Sequence, residues 1–375
     1  MDIEKEAAYF IKELPYKQGV YAGRNWGHEW HSLCSYHGKL KPAIAHFLVS
    51  EFTEEGQVVL DPLCGVGTIP FEAALQGRKG IGNDLSELAY CVSLAKLSKP
   101  PLKKVLKELI KLENHIDAFK EKNKYEQLPY KQFGLNHTLE EYFQKDTYVE
   151  IIAAREYLHD KFELLTPEKA MVYTCFLHVL HGNRPYALSR NSHPLTPYAP
   201  KGDYIYKNVI EHIREKIERV YSVEEFGQFK KGRAIYGDYN DIKNIRADAI
   251  ITSPPFADSM KFYTQNWMRL WACGWEPEDF KTANDKFIDQ KQNQNFDIYY
   301  DFFEMCYHNL KKNGILILHL GKTKKIDMAE ELSIRSRKRF TEIYRADEDV
   351  TNIEKHGIKD KGSTVAHQYL FLQKK

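Results

Sequence analysis

Residues 57–97, QVVLDPLCGVGTIPFEAALQGRKGIGNDLSELAYCVSLAKL, constrain the fold more than any other stretch of the chain. They parse as a strand (58–60), a glycine-rich turn, a helix (70–76), a second strand (80–82) ending in an acid, and a second helix (86–97). Strands alternating with helices across short connections are the signature of a doubly wound, mostly parallel sheet. The same alternation returns late in the chain. Strands are expected at 233–236, 248–252, 314–320, 340–344 and 367–372, with a helix at 299–310. Between the two blocks the texture changes. Charged helical stretches (103–122, 147–159, 207–221) surround an apolar helix at 169–180, and no strand of strength is present. The chain therefore reads as the first half of an α/β domain (1–99), a helical insertion (100–231) and the second half of the α/β domain (232–375).

Composition excludes some classes and leaves others open. No apolar run approaches the ~18 residues of a membrane span. The N-terminal MDIEKEAAYFIKEL is acidic and amphipathic, unlike a signal peptide. The six cysteines are scattered without a CxxC pair, which argues against a zinc site or a disulfide framework and fits a reducing cytoplasm. His28, His31 and His37 cluster in sequence, yet no cysteine or acid stands at ligand spacing, so no metal is expected. The net charge of +2 is too small to point to nucleic acid by itself.

The turn Asp61-Pro62-Leu63-Cys64-Gly65-Val66-Gly67-Thr68 lies between strand and helix, where glycines let backbone approach a ligand. Asp84, with Leu85 beside it, ends the next strand, where a carboxylate can accept hydrogen bonds from both hydroxyls of a ribose. A dinucleotide fingerprint is excluded, because Pro70 occupies the place of its third glycine. DPLCGVGTIPFEAA followed by GIGNDLS resembles the cofactor motif of class I S-adenosylmethionine-dependent methyltransferases, closest to the amino-methyltransferases of the DNA N4-cytosine/N6-adenine family. The resemblance implies a Rossmann-like fold with a seven-stranded sheet and S-adenosylmethionine as cofactor. It places cofactor contacts on Asp61, Pro62, Leu63, Gly65, Gly67, Thr68, Asp84 and Leu85. Gly237-Asp238 resembles the motif that contacts the adenine, and the segment around Lys39 resembles the one that closes over the methionine end.

Ser253-Pro254-Pro255-Phe256 ends the fourth strand. An exocyclic nucleobase amine is a poor nucleophile, because its lone pair is conjugated into the ring. Acceptors for its two protons, such as the Ser253 hydroxyl oxygen and the Pro254 carbonyl, localise that lone pair. The prolines stiffen the loop, and Phe256 offers a face for a base turned out of its stack. The sequence resembles the family's catalytic motif (D/N/S)-P-P-(Y/F/W), in which serine is more typical of N4-cytosine enzymes. The resemblance implies a site-specific DNA methyltransferase acting on cytosine N4, in a restriction-modification or phage-defence setting with a cognate endonuclease as possible partner, in the cytoplasm or on the nucleoid. Adenine N6 is the alternative base. The glycine turn also resembles RNA guanine-N2 methyltransferases, but those usually carry an N-terminal RNA-binding domain, and only about 55 residues precede the first strand. A methyltransferase-like binding subunit is the non-enzymatic alternative.

Two further segments are candidates. The polar loop 181–202 carries Arg184, Tyr186 and Arg190, suited to phosphate or base contact. After the catalytic loop, Tyr263 is a second substrate candidate. Trp267 and Trp271 share a helical face, the pattern of a core stripe, with a binding role left open by their closeness to Phe256.

Overall fold

A computed structural model describes residues 2–23, 26–194, 196–223, 226–350, 354–355, 358–359 and 364–375. Helices α1 (Ile3–Glu13) and α2 (Pro42–Phe52) lead into β1 (Val58–Asp61), α3 (Thr68–Leu75), β2 (Lys79–Asp84) and α4 (Glu87–Ser98). A helical stretch follows, with α5 (Leu102–Lys122), α6 (Leu139–Tyr142), α7 (Lys145–His159), α8 (Pro167–Leu180) and α9 (Val209–Tyr221). Strands β3 (Arg233–Tyr236) and β4 (Ala247–Thr252) come next, then α10 (Phe262–Gln265), α11 (Trp267–Ala272), α12 (Asp279–Thr282), α13 (Ile288–Gln294) and α14 (Ile298–Asn309). The chain closes with β5 (Leu310–Thr323), α15 (Met328–Ser336), β6 (Phe340–Asp349), a two-residue ladder of β7 (Glu354–Lys355) and β8 (Ile358–Lys359), and β9 (Thr364–Lys374).

The main sheet has seven strands in the order β3-β2-β1-β4-β5-β9-β6. The first five are parallel to their neighbours, and β9 runs antiparallel between β5 and β6. This is the Rossmann-like class I methyltransferase architecture. Its strand order reverses beside β1, so the connections leaving β1 and β4 diverge at the carboxyl ends of the strands and leave a crevice there. Alternate residues face opposite sides, as strand periodicity requires. Val59, Ile251 and Ile317 join α1, α2 and α3 in one core, and Leu60, Ile250 and Leu318 join α14 and α15 in another.

The expected strands are all present, and the last three extend further than their apolar patterns. On β6 most residues are partly or fully exposed, so hydrophobicity marks only part of its length. The stretch 100–231 is not a separate body. Helix α8 is buried nearly all round. It packs against α4, α5 and α9, in a core that also takes Trp30, Phe71, Trp267 and Trp271. The tryptophan stripe is thus core. Arg269 is buried with it, donating from Nε to the Leu177 carbonyl (3.0 Å) and from an Nη to the His181 carbonyl (3.1 Å). It thereby satisfies carbonyls that the end of α8 leaves unpaired.

Packing of α3 onto β2 depends on Gly80. A Cβ there would lie 1.9 Å from the Pro70 carbonyl oxygen. Gly80→Val is expected to destabilise the fold by at least about 1–3 kcal/mol, read as a lower urea midpoint. An unchanged midpoint would show that α3 can shift freely.

Candidate active site

The turn after β1 is held from several sides. Gly65 and Gly67 both adopt positive φ (50° and 73°), which glycine reaches without strain. The Cys64 amide donates to the Asn83 carbonyl (2.9 Å), and the Gly65 amide donates to Asp84 Oδ2 (2.8 Å). The Ser93 hydroxyl donates to the Gly65 carbonyl (2.9 Å), and the buried Lys96 ammonium to the Val66 carbonyl (2.6 Å). Asn83 ties together the chain leaving β1 and the chain leaving β3, its amide donating to the carbonyls of Pro62 and Gly237 (both 3.1 Å). Asp84 Oδ1 accepts from the Ser86 amide (2.9 Å). Burial raises the Asp84 carboxyl to about 6, against the opposing pull of the Ser86 and Gly65 amides. Burial likewise raises Asp61 to about 7.

Asp61 ties this turn to the second half of the site. Its Oδ1 accepts from the Leu63 amide (3.1 Å) and from the Thr252 hydroxyl (2.6 Å). Thr252 is the last residue of β4, so Ser253-Pro254-Pro255-Phe256 begins one residue from the anchor of the glycine turn. The proline loop is clamped by α13. Gln292 donates to the Pro255 carbonyl (2.8 Å) and accepts from the Tyr299 hydroxyl (2.8 Å), and Asn293 accepts from the Asp258 amide (3.4 Å). Phe256 fits against Gly321 of β5, where a Cβ would come within 2.5 Å of its ring. Ser253 Oγ lies 3.0 Å from His319 Nδ1.

Both halves open into one cleft of about 2260 Å³. A pocket for one small ligand is roughly 300–1,000 Å³, so a cofactor and a nucleotide fit together. Lys39, Asp61, Leu63, Gly65, Thr68, Asp84 and Leu85 line it, as do Gly237, Asp238 and the four residues Ser253–Phe256. Pro62 and Gly67 shape the turn from behind, Pro62 through its carbonyl and Gly67 by its close fit to Ser93. The Lys39 ammonium donates to the His31 carbonyl (2.7 Å).

The other substrate candidates separate. Tyr186 lines the cleft, stacked on His178 (ring centroids 4.8 Å apart) with the Arg219 guanidinium 5.6 Å from its ring centroid. Arg184 is exposed and lies off the cleft. Arg190 is taken up by its own loop and by α6, donating to the Gly202 and Glu141 carbonyls (both 2.8 Å). Tyr263 is buried, its hydroxyl donating to Asn284 Oδ1 (3.1 Å), and does not reach the cleft. In place of these three residues the cleft gains Gln265, Asp289 and His319, each buried and each with one polar atom lacking a partner among the described residues. Gln265 follows the proline loop closely in sequence, whereas Asp289 and His319 carried no sequence signal. His31 pairs with Glu72 (2.7 Å), and among the described residues no group of three potential ligands converges on a metal position.

Comparison with known proteins finds methyltransferases. Residues 30–127 match the family described as UPF0020, RMKL-like, methyltransferase domain. The type II methyltransferase M.MjaII of Methanocaldococcus jannaschii is 22% identical over 63% of this chain, which spans 61% of that protein's length. Among solved structures, TrmN from Thermus thermophilus aligns with a TM-score of 0.34 at 12% identity, over 90% of this chain and 50% of that one. A methyltransferase from Pyrococcus furiosus gives 0.35 at 10% identity, over 98% and 97%. Strand order, glycine turn and the acid after β2 define the fold as that of the class I S-adenosylmethionine-dependent methyltransferases.

With Asp84 at about 6, affinity for S-adenosylhomocysteine is expected to fall as pH drops below 6, because the protonated acid accepts fewer hydrogen bonds from the ribose. Asp84→Ala is expected to weaken binding at least about tenfold and to flatten that pH dependence. Titration calorimetry reads both, and full affinity in Asp84→Ala would move the ribose elsewhere.

Proposed function

We propose that this chain transfers a methyl group from S-adenosylmethionine to the exocyclic amine of a nucleobase in DNA, with cytosine N4 as the acceptor. The observation that carries this reading is the Thr252–Asp61 hydrogen bond, 2.6 Å long, which sets the Ser-Pro-Pro-Phe loop beside the cofactor turn within one cleft.

S-adenosylmethionine supplies an activated methyl group, so the protein needs no nucleophile of its own. Ser253 Oγ accepts a hydrogen bond from one amine N–H and the Pro254 carbonyl from the other, drawing the nitrogen lone pair out of conjugation. Gln292 and α13 fix the loop before substrate arrives, so little order has to be gained on binding. The amine's surplus proton leaves to water after transfer. Phe256 and the Tyr186–His178 stack offer aromatic surfaces for a base turned out of its helix. Serine before the two prolines favours cytosine over adenine. The relative named as a type II methyltransferase supports a restriction-modification setting, with a cognate endonuclease as the partner to seek.

Expression in a methylation-deficient host, followed by mass spectrometry of its nucleosides, tests the proposal. N4-methylcytosine in DNA is the expected product. N6-methyladenine would overturn the base, and a methylated RNA base would overturn the polymer. Ser253→Ala is expected to lower kcat about a hundredfold or more with cofactor affinity retained. An unchanged rate would remove Ser253 from the chemistry.

A further inference from the structure

A serine hydroxyl has one hydrogen to donate and two lone pairs to accept with. To serve an amine as an acceptor, Ser253 must send its own hydrogen elsewhere. The sheet provides the place. Parallel pairing sets Thr252 opposite Leu318, so the next residues, Ser253 and His319, come side by side with 3.0 Å between Oγ and Nδ1.

His319 is 3% exposed. Its ring is enclosed by Phe256, His367 and Tyr369, at centroid distances of 5.5, 4.9 and 5.1 Å. Burial, with His367 close by, holds the imidazole well below its ordinary value, so it is neutral. A neutral imidazole carries one hydrogen, on one nitrogen or the other. Nε2 is buried and has no hydrogen-bond partner among the described residues. It sits among aromatic rings, whose electron-rich faces tolerate an N–H better than a bare lone pair. That favours hydrogen on Nε2 and leaves Nδ1 to accept from Ser253. The opposite tautomer would occupy a serine lone pair and leave the serine hydrogen free to point at the amine, donor against donor.

Resting on the amine-methylation reading above, we propose that His319 is a positioning residue that accepts the Ser253 hydrogen and so turns the Ser253 lone pairs toward the target amine. The proton stays on Ser253 throughout, and His319 acts on the amine only through Ser253.

Two experiments test this. The first needs no substrate. In protein labelled with nitrogen-15 in its histidines, the His319 signals, identified by their loss in His319→Asn, are expected to show hydrogen on Nε2 and none on Nδ1. Ser253→Ala is expected to shift the Nδ1 resonance. Hydrogen on Nδ1, or a resonance indifferent to Ser253→Ala, would overturn the proposal. The second follows methyl transfer from labelled S-adenosylmethionine into the nucleic acid that the wild type methylates. His319→Leu is expected to lower kcat about tenfold or more at unchanged S-adenosylhomocysteine affinity. His319→Asn, whose amide oxygen stands near the Nδ1 position, is expected to recover most of the rate. In a Ser253→Ala background, His319→Leu is expected to cost nothing further. An equal loss in both backgrounds would overturn the positioning role. Should the wild type methylate neither DNA nor RNA, the functional reading fails, and the nuclear magnetic resonance result alone decides the role of His319.

Discussion

The buried hydrogen bond from Thr252 to Asp61 joins the two halves of this active site. Parallel pairing of β1 with β4, Leu60 against Ile250, sets their carboxyl ends side by side, and only the loops that follow diverge around the crevice. Just beyond that pair, each strand leaves the sheet for a different task. After Asp61 the chain makes a glycine turn, and after Thr252 it makes a proline-stiffened loop. An acid at one end and a hydroxyl at the other fix the separation of these two loops. Asp61 also caps the start of its own turn through the Leu63 amide, so one carboxylate sets the local shape and the distance across the crevice.

The supports around that bond come from every later part of the chain. The loop at Asp84 reaches back to the Gly65 amide, and Asn83 spans from Pro62 to Gly237. Helix α13 holds the proline loop through Gln292, and β5 supplies Gly321 beneath Phe256. Residues 100–231 bring His178 and Tyr186 to the cleft while their helices pack around α4 in a continuous core. That region therefore builds the fold as well as the cleft. Removing it would expose the buried faces of α4 and α11.

The repeating part of this architecture was legible in the sequence, because strands buried on both faces read as short apolar runs and their helices as periodic ones. The glycine turn, Asp84 and Ser253–Phe256 were legible for a different reason. They require unusual residues at fixed chain positions, and all of them but Pro62 and Gly67 line the cleft. Side chains chosen by type alone fared less well. Arg190 and Tyr263 look like ligands for nucleic acid, yet a polar loop must satisfy its own carbonyls and a buried phenol must find a partner, and those needs consume both. His319 was invisible for the converse reason. It sits in the apolar run GILILHLG, which reads as a core strand, and only strand register brings it to Ser253. Gln265 and Asp289 likewise gain meaning from tertiary placement.

A crystal structure with S-adenosylhomocysteine bound would test most directly whether one cleft joins a cofactor site to an amine-acceptor site. The ribose is expected on Asp84, the adenine beside Asp238, and the sulfur directed at the space in front of Ser253 and Pro254. A ligand bound away from the glycine turn, or with its sulfur facing away from Ser253, would contradict the account.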